Sequence, residues 1–147
     1  MDAILFVCLG NICRSPAAEG VVRHLVPGLI LDSAGTGSWH IGAAPYGPMQ
    51  AVARRRGYDL SGLRARQVQA GDFDRFDLIV AMDGQNRADL ETLRPPGNAT
   101  PITLFTDYGP ADGSAVPDPY FTRDFEGCLD LIETCARGLS RMYARPS

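Results

Sequence analysis

Cys8-Leu9-Gly10-Asn11-Ile12-Cys13-Arg14-Ser15 is the stretch of this chain whose residue types and spacing best combine into chemistry. It follows the uninterrupted apolar run at residues 3–7, as expected of a strand buried on both faces, and precedes Pro16, which suits a first helical position. A loop between such a strand and such a helix lies where backbone amides and the positive helix end point outward, so it can hold an anion. Gly10 and Asn11 tolerate the left-handed conformations that turn successive N–H groups inward. Arg14 adds a planar guanidinium fork that matches two oxygens of a phosphate or similar tetraoxyanion. Cys8 opens the loop, and a field that attracts an anion also favours a thiolate. Ser15 is spaced to donate a hydrogen bond to that sulfur. The expectation is a sulfur nucleophile beneath a bound phosphoryl group, in a loop completed by Leu9, Gly10, Asn11, Ile12, Cys13 and Ser15.

The elements that must position this loop are legible on either side of it. Ala18, Val21, Val22 and Leu25 give the helix from Pro16 an apolar stripe; Glu19 is expected in its first turn, and Pro27-Gly28 ends it. Leu29-Ile30-Leu31 reads as a second strand, followed by a Gly-rich loop over residues 33–42. Residues 46–56 read as a helix with Met49, Val52 and Ala53 inward and Gly57 as its stop. Residues 78–81 and 102–105 read as third and fourth strands, with a short helix over 86–93 between them. A long loop with Pro110, Gly113, Pro117 and Pro119 leads to the last helix. Its stripe is Phe121, Phe125, Cys128, Leu129, Ile132, Cys135, Ala136 and Leu139. Strands alternating with helices predict an α/β fold, a three-layer domain with a four-stranded parallel sheet flanked by helices and the phosphate-binding loop between the first strand and first helix.

Composition narrows the function classes. The chain has 147 residues, a length that suits a single domain over 1–147, and a formal charge of −3. All 14 of its basic residues are Arg, which excludes a Walker lysine and Schiff-base chemistry. The acidic balance argues against a nucleic-acid binder, and no apolar run approaches the ~18 residues of a membrane span. The N-terminus lacks the positive flank of a signal peptide, and four Cys in a chain able to build a core suggest a reducing compartment, so a cytoplasmic location is expected. His24 and His40 are the only His, without ligand spacing, so no metal and no cofactor are expected. Cys128 and Cys135 lie seven apart on one helix, roughly 10 Å along its axis, and read as core residues. Arg54-Arg55-Arg56 reads as a solvated helix face, with a patch for an acidic partner as the alternative.

Residues 5–19, Leu-Phe-Val-Cys-Leu-Gly-Asn-Ile-Cys-Arg-Ser-Pro-Ala-Ala-Glu, resemble the signature of the low-molecular-weight protein tyrosine phosphatases. Ser33-Ala34-Gly35-Thr36-Gly37, Ala65-Arg66-Gln67, Phe76-Asp77 with Met82-Asp83, and Asp118-Pro119-Tyr120 resemble further blocks of that family in the same order. On its own pattern Asp118, between two prolines in a long loop, fits a helix cap or a turn as well as a catalytic acid. The resemblance implies that Cys8 attacks phosphorus, that Arg14 and the loop amides hold the phosphoryl oxygens, and that Asp118 is general acid and then base. It further implies that Cys13 is a redox partner forming a reversible disulfide with Cys8. Asn11 and Ser33 are then supports that lock the loop together with Ser15, and Trp39 and Tyr120 are walls of a slot for a phenyl ring. Relatives often carry a His where Leu63 stands, so that link is expected to be missing. The implied substrate is a phosphotyrosine protein, with a tyrosine kinase as one candidate; a monomer is expected.

Three other functions compete. Arsenate reductases share the Cys-x5-Arg loop but need two further Cys near residues 82–90, where this chain has none. Protein-arginine phosphatases typically carry Thr where this loop has Ile12. A non-catalytic phosphate-binding module would have little use for Cys8, Arg14 and Asp118 together.

Overall fold

The computed structural model describes residues 2–110 and 114–143; Met1 and Gly113 lie outside the described residues. Strand β1 (Ala3–Cys8) is buried along its whole length because alternate side chains point into two separate cores. Ile4, Phe6 and Cys8 face one side, Leu5 and Val7 the other. The chain continues through α1 (Arg14–Leu25), β2 (Ile30–Gly35), α2 (Gly47–Arg55), the short α3 (Asp72–Arg75), β3 (Leu78–Ala81), α4 (Gly84–Leu93) and β4 (Ile102–Leu104). A 3-10 turn (Phe105–Tyr108), the single-turn α5 (Pro119–Thr122) and α6 (Phe125–Met142) complete it.

All four strands are parallel, in the order β2-β1-β3-β4. The larger core lies between one sheet face and α1, α2 and α6; its centre includes Phe6, which meets Phe105 edge-on at 5.6 Å. On the other face Phe73 of α3 and Leu90 of α4 cover Leu5, Val7, Ile79 and Ala81. Both faces are thus covered, which is why β1 and β3 read as continuous apolar runs. The connections from β1 diverge here, one leading to β2 and the neighbouring strand β3 arriving from the other side. Ligands of open α/β sheets sit at such a switch point, beyond the carboxyl ends of the strands.

Several boundaries depart from the sequence expectation. Helix α1 begins at Arg14, so Pro16 is its third residue, still within the turn whose N–H groups have no intrahelical acceptor. Glu19 consequently lies beyond the first turn, buried rather than at the exposed helix end. Strand β2 runs through Gly35, which puts Ser33 in the sheet instead of the following loop. Helix α3 was not expected; four residues are too few for a periodic signal. The terminal helix divides in two, because Arg123 takes a left-handed conformation (φ 64°). That conformation costs about 1–2 kcal/mol for a residue with a side chain. The Arg123 guanidinium offsets it by lying 5.4 Å over the Tyr46 ring and 5.3 Å over the Phe125 ring. Asp124 then restarts the helix by accepting from the Gly127 N–H at 2.8 Å. Phe121 therefore leaves the apolar stripe and is exposed, while Phe125 through Leu139 keep it.

The arginine run is a solvated face at Arg54 and Arg55, as expected, but Arg55 and Arg56 also make ion pairs within the fold. Arg55 pairs with Glu126, and Arg56 pairs with Glu126, Asp130 and Glu133, so two of the three clamp α2 to α6. Among the described residues no helix is long and apolar enough to cross a membrane.

Candidate active site

The site is built where β1 runs out. Cys8 is the last residue of the strand and pairs with Gly35 of β2. A side chain on Gly35 would begin 2.7 Å from the Leu9 carbonyl oxygen, so only glycine lets β2 pass this close beneath the loop. The sheet ladder then continues into the loop, with the Thr36 N–H donating to the Cys8 carbonyl and the Gly37 N–H to that of Leu9, both at 2.9 Å.

Asn11 makes the turn. Its φ is 58°, and its backbone N–H is 3.2 Å from the Cys8 sulfur. Its side-chain amide nitrogen donates to the Ser15 Oγ at 2.8 Å, and that oxygen is 3.0 Å from the same sulfur. With Asn11 occupying its acceptor side, the Ser15 hydroxyl can turn its hydrogen to the sulfur or to the Ala34 carbonyl 3.5 Å away. Gly10 does not share the left-handed conformation expected of it. Space is tight there instead, since a Cβ would sit 3.0 Å from the His40 ring.

The outer anchor of the loop is the Arg66 backbone N–H, which donates to Asn11 Oδ1 at 3.0 Å. Arg66 is fixed in turn by a bidentate pair to Asp72, both contacts at 3.0 Å, and by Asp32 at 3.0 Å. Asp72 is fully buried and also accepts from the Gln69 N–H, so its charge is compensated on several sides. Leu63, where relatives often carry a His, packs against the main core. Ser33 donates to Glu19 Oε1 at 2.8 Å instead of to the loop, and Arg23 holds the other oxygen of Glu19 at 2.6 Å. Burial pushes the Glu19 carboxyl above its usual range, although Ser33 and Arg23 oppose the shift.

Arg14 is buried at the start of α1. Its Nη1 donates to Asp83 Oδ2 at 2.8 Å and to the Val116 carbonyl at 3.0 Å, and its Nη2 lies 3.4 Å from Asp118 Oδ2. Its Nε is buried without a hydrogen-bond partner. Burial works against the charge, but Cys8, Asp83 and Asp118 outweigh it and hold the guanidinium above its usual value. Asp83 serves two elements, because its other oxygen accepts from the Asn86 N–H at 2.7 Å and caps α4. Asp83 stands in a block that resembles the family, and nothing local in the sequence reveals that it grips Arg14.

Of the roles that its sequence left open, the structure shows the helix cap for Asp118. It caps α5 by accepting from the Tyr120 N–H at 3.1 Å while its second oxygen faces Arg14. Cys8, Arg14 and Asp118 line one cavity of about 240 Å³ together with Leu9, Gly10, Ile12 and Cys13. Its upper walls are Trp39, His40, Tyr120 and Phe121. His40 and Phe121 were not anticipated: an isolated His carries no pattern, and Phe121 matched the helix stripe. Cys13 is buried at the N-terminal end of α1, and burial, with Cys8 next in strength, pushes its thiol up. Burial also raises Cys128 to about 12 and Cys135 to about 11; all four Cys are free thiols.

The family model for low molecular weight phosphotyrosine protein phosphatase matches residues 3–145. The chain is 45% identical over 141 residues to the low molecular weight protein-tyrosine-phosphatase YfkJ of Bacillus subtilis, covering 91% of this chain and 90% of the relative. A Schizosaccharomyces pombe low molecular weight phosphotyrosine protein phosphatase is 41% identical over 126 residues, 80% of either chain. The crystal structure of YfkJ superposes with a TM-score of 0.90 at 42% identity, over 97% of this chain and 94% of that one. A protein tyrosine phosphatase from Entamoeba histolytica, with Hepes in its active site, gives 0.89 at 36% identity over 97% of each chain. The chain belongs to the low molecular weight protein-tyrosine-phosphatase family.

Proposed function

We propose that the protein hydrolyses phosphotyrosine in proteins, and aryl phosphates generally, through a phosphocysteine intermediate on Cys8. The observation that carries this is the surroundings of the Cys8 sulfur: it is met by the Asn11 N–H and the Ser15 hydroxyl at the floor of the cavity that Arg14 and Asp118 also line. Both donors favour a sulfur carrying negative charge, as an attacking and later a departing group. The unpartnered Nε gives Arg14 a free donor for an equatorial phosphoryl oxygen, while Asp83 and Val116 keep the guanidinium plane fixed. Cys8 attacks phosphorus in line with the tyrosine oxygen, and Asp118 gives its proton to that oxygen as the P–O bond breaks. Asp118, now a carboxylate, takes a proton from water attacking the phosphocysteine, and the thiolate leaves.

The aromatic walls Trp39 and Tyr120 suit a phenyl ring, and Ile12 offers no hydroxyl to assist cleavage of a P–N bond, so phosphotyrosine is favoured over phosphoarginine. Cys13 is the proposed redox partner of Cys8, adjacent in the same curled loop. The same reading gives the protein a cytoplasmic location, a monomeric state and phosphotyrosine proteins, among them a tyrosine kinase, as substrates. Side-by-side hydrolysis of matched phosphotyrosine and phosphoarginine peptides tests it. Faster turnover of phosphotyrosine is expected, and faster turnover of phosphoarginine overturns the substrate assignment.

A further inference from the structure

The mouth of the cavity is apolar well beyond what a single ring covers. Trp39 and Phe121 both line it, yet they remain 73% and 71% exposed, among the most exposed large hydrophobic side chains of the protein. Phe121 stands edge-on to Tyr120 at 5.4 Å, and Tyr120 leans on Tyr46 at 5.3 Å, so this wall is a continuous aromatic ridge. Trp39 faces the cavity from the separate loop after β2. Its ring is held although it is exposed: a Cβ on Gly37 would fall 1.9 Å from the Trp39 ring, so the indole lies directly over the Gly37 backbone. Gly37 is itself tied to the Leu9 carbonyl of the phosphate loop.

Among the described residues, fixed positive charge does not line this outer zone. Of the described residues lining the cavity, Arg14 is the sole arginine, and it is buried at the floor and already paired with Asp83. Arg123, near the ridge, has its guanidinium on Tyr46 and Phe125. A carboxylate flanking the phosphotyrosine would lose water at the mouth and meet Asp118, while the exposed Arg123 guanidinium already lies against those two rings and the Tyr120 carbonyl. A large apolar flanking residue would cover the exposed faces of Phe121 and Trp39.

We propose, resting on the phosphotyrosine hydrolysis proposed above, that Phe121 and Trp39 form a two-sided apolar clamp selecting substrates with a bulky apolar residue next to the phosphotyrosine. Partial burial of one such side chain is expected to raise kcat/KM about 10-fold over a Ser-flanked peptide. The experiment compares peptides differing only in flanking Phe, Ser or Glu, with an aryl phosphate as a substrate that has no flanks. The expected order is Phe, then Ser, then Glu. In Phe121→Ser the advantage of Phe over Ser falls below about threefold, while in Phe121→Leu most of it remains. Trp39 is the only Trp of the chain, so its fluorescence reports the clamp directly. In the Cys8→Ser protein, the Phe-flanked peptide is expected to shift Trp39 emission more than phosphotyrosine alone. Equal rates for all flanks, or preference for Glu, with the aryl phosphate turned over normally, overturns the clamp and leaves the phosphatase reading intact. Failure to turn over the aryl phosphate overturns both.

Discussion

The floor and the mouth of the cavity are held by different physics. At the floor, Asn11, Ser15, Arg14, Asp83, Arg66 and Asp72 are linked through hydrogen bonds of 2.7–3.4 Å, and most of these side chains are buried. At the mouth, Trp39, Tyr120 and Phe121 are exposed and rest on ring contacts and on a glycine. A buried polar network has one satisfied arrangement, because each broken bond strands a desolvated group. An exposed aromatic surface adapts to what covers it. The division assigns the phosphoryl chemistry to the floor and the choice among phosphotyrosine sequences to the mouth.

Perturbing the floor should therefore reach chemistry and perturbing the mouth should reach recognition. The largest effect is expected from Cys8→Ser, which lowers kcat at least about 10⁴-fold while leaving oxyanion binding measurable by calorimetry. Arg14→Lys keeps the charge but loses the fork and the free Nε; stopped-flow or steady-state assays should show kcat down by about 10³-fold. Asp118→Ala should depend on the leaving group, with a loss of about 10²-fold or more for phenyl phosphate and little for an acidic phenol. Equal losses across that series remove Asp118 from the general-acid role. Asp72→Ala removes the bidentate partner of Arg66, which keeps Asp32, and leaves the Gln69 N–H unpaired; denaturant titration should show a stability loss of about 1–3 kcal/mol, with a lower kcat in the fraction that remains folded. The smallest effect belongs to the mouth: Gly37→Ala displaces Trp39 and should raise KM about 3–10-fold with kcat nearly preserved.

The buried thiols of α6 give the fold a pH signature of its own. Cys128 and Cys135 titrate at about 12 and about 11 in the fold, above their ordinary 9.0, because burial penalises the thiolate. Their contribution to stability is complete below pH 9.0 and declines as pH rises through about 11 to 12, since the unfolded chain loses those protons first. Stability measured by denaturant should fall over that window, and Cys135→Ala should flatten the fall. Near neutral pH a haloacetamide should modify Cys8 and spare both α6 thiols, checked by peptide mapping.

Sheet, helix order and the reactive loop were legible because they rest on short-range patterns: apolar runs for β1 and β3, the three- and four-residue steps of α6, and eight contiguous residues from Cys8 to Ser15. The supports were not legible. Asp83 is 69 residues from Arg14, and Arg66 is 55 from Asn11. Such pairs are made by the fold and leave no local spacing. Ser33 was expected to brace the loop and braces Glu19 instead, because β2 extends two residues past it and carries its side chain toward α1. Phe121 was misplaced for the converse reason: its four-residue step to Phe125 imitates a helix that Arg123 interrupts.

The central claim is that the sulfur on this floor carries the phosphoryl group between two half-reactions. Rapid acid quench of the protein during turnover of an aryl phosphate, followed by mass spectrometric mapping, tests it most directly. Phosphate bound to the peptide containing Cys8, absent from Cys8→Ser, is the predicted result. Turnover at full rate with no phosphorylated Cys8 at any quench time, together with activity surviving in Cys8→Ser, would contradict it.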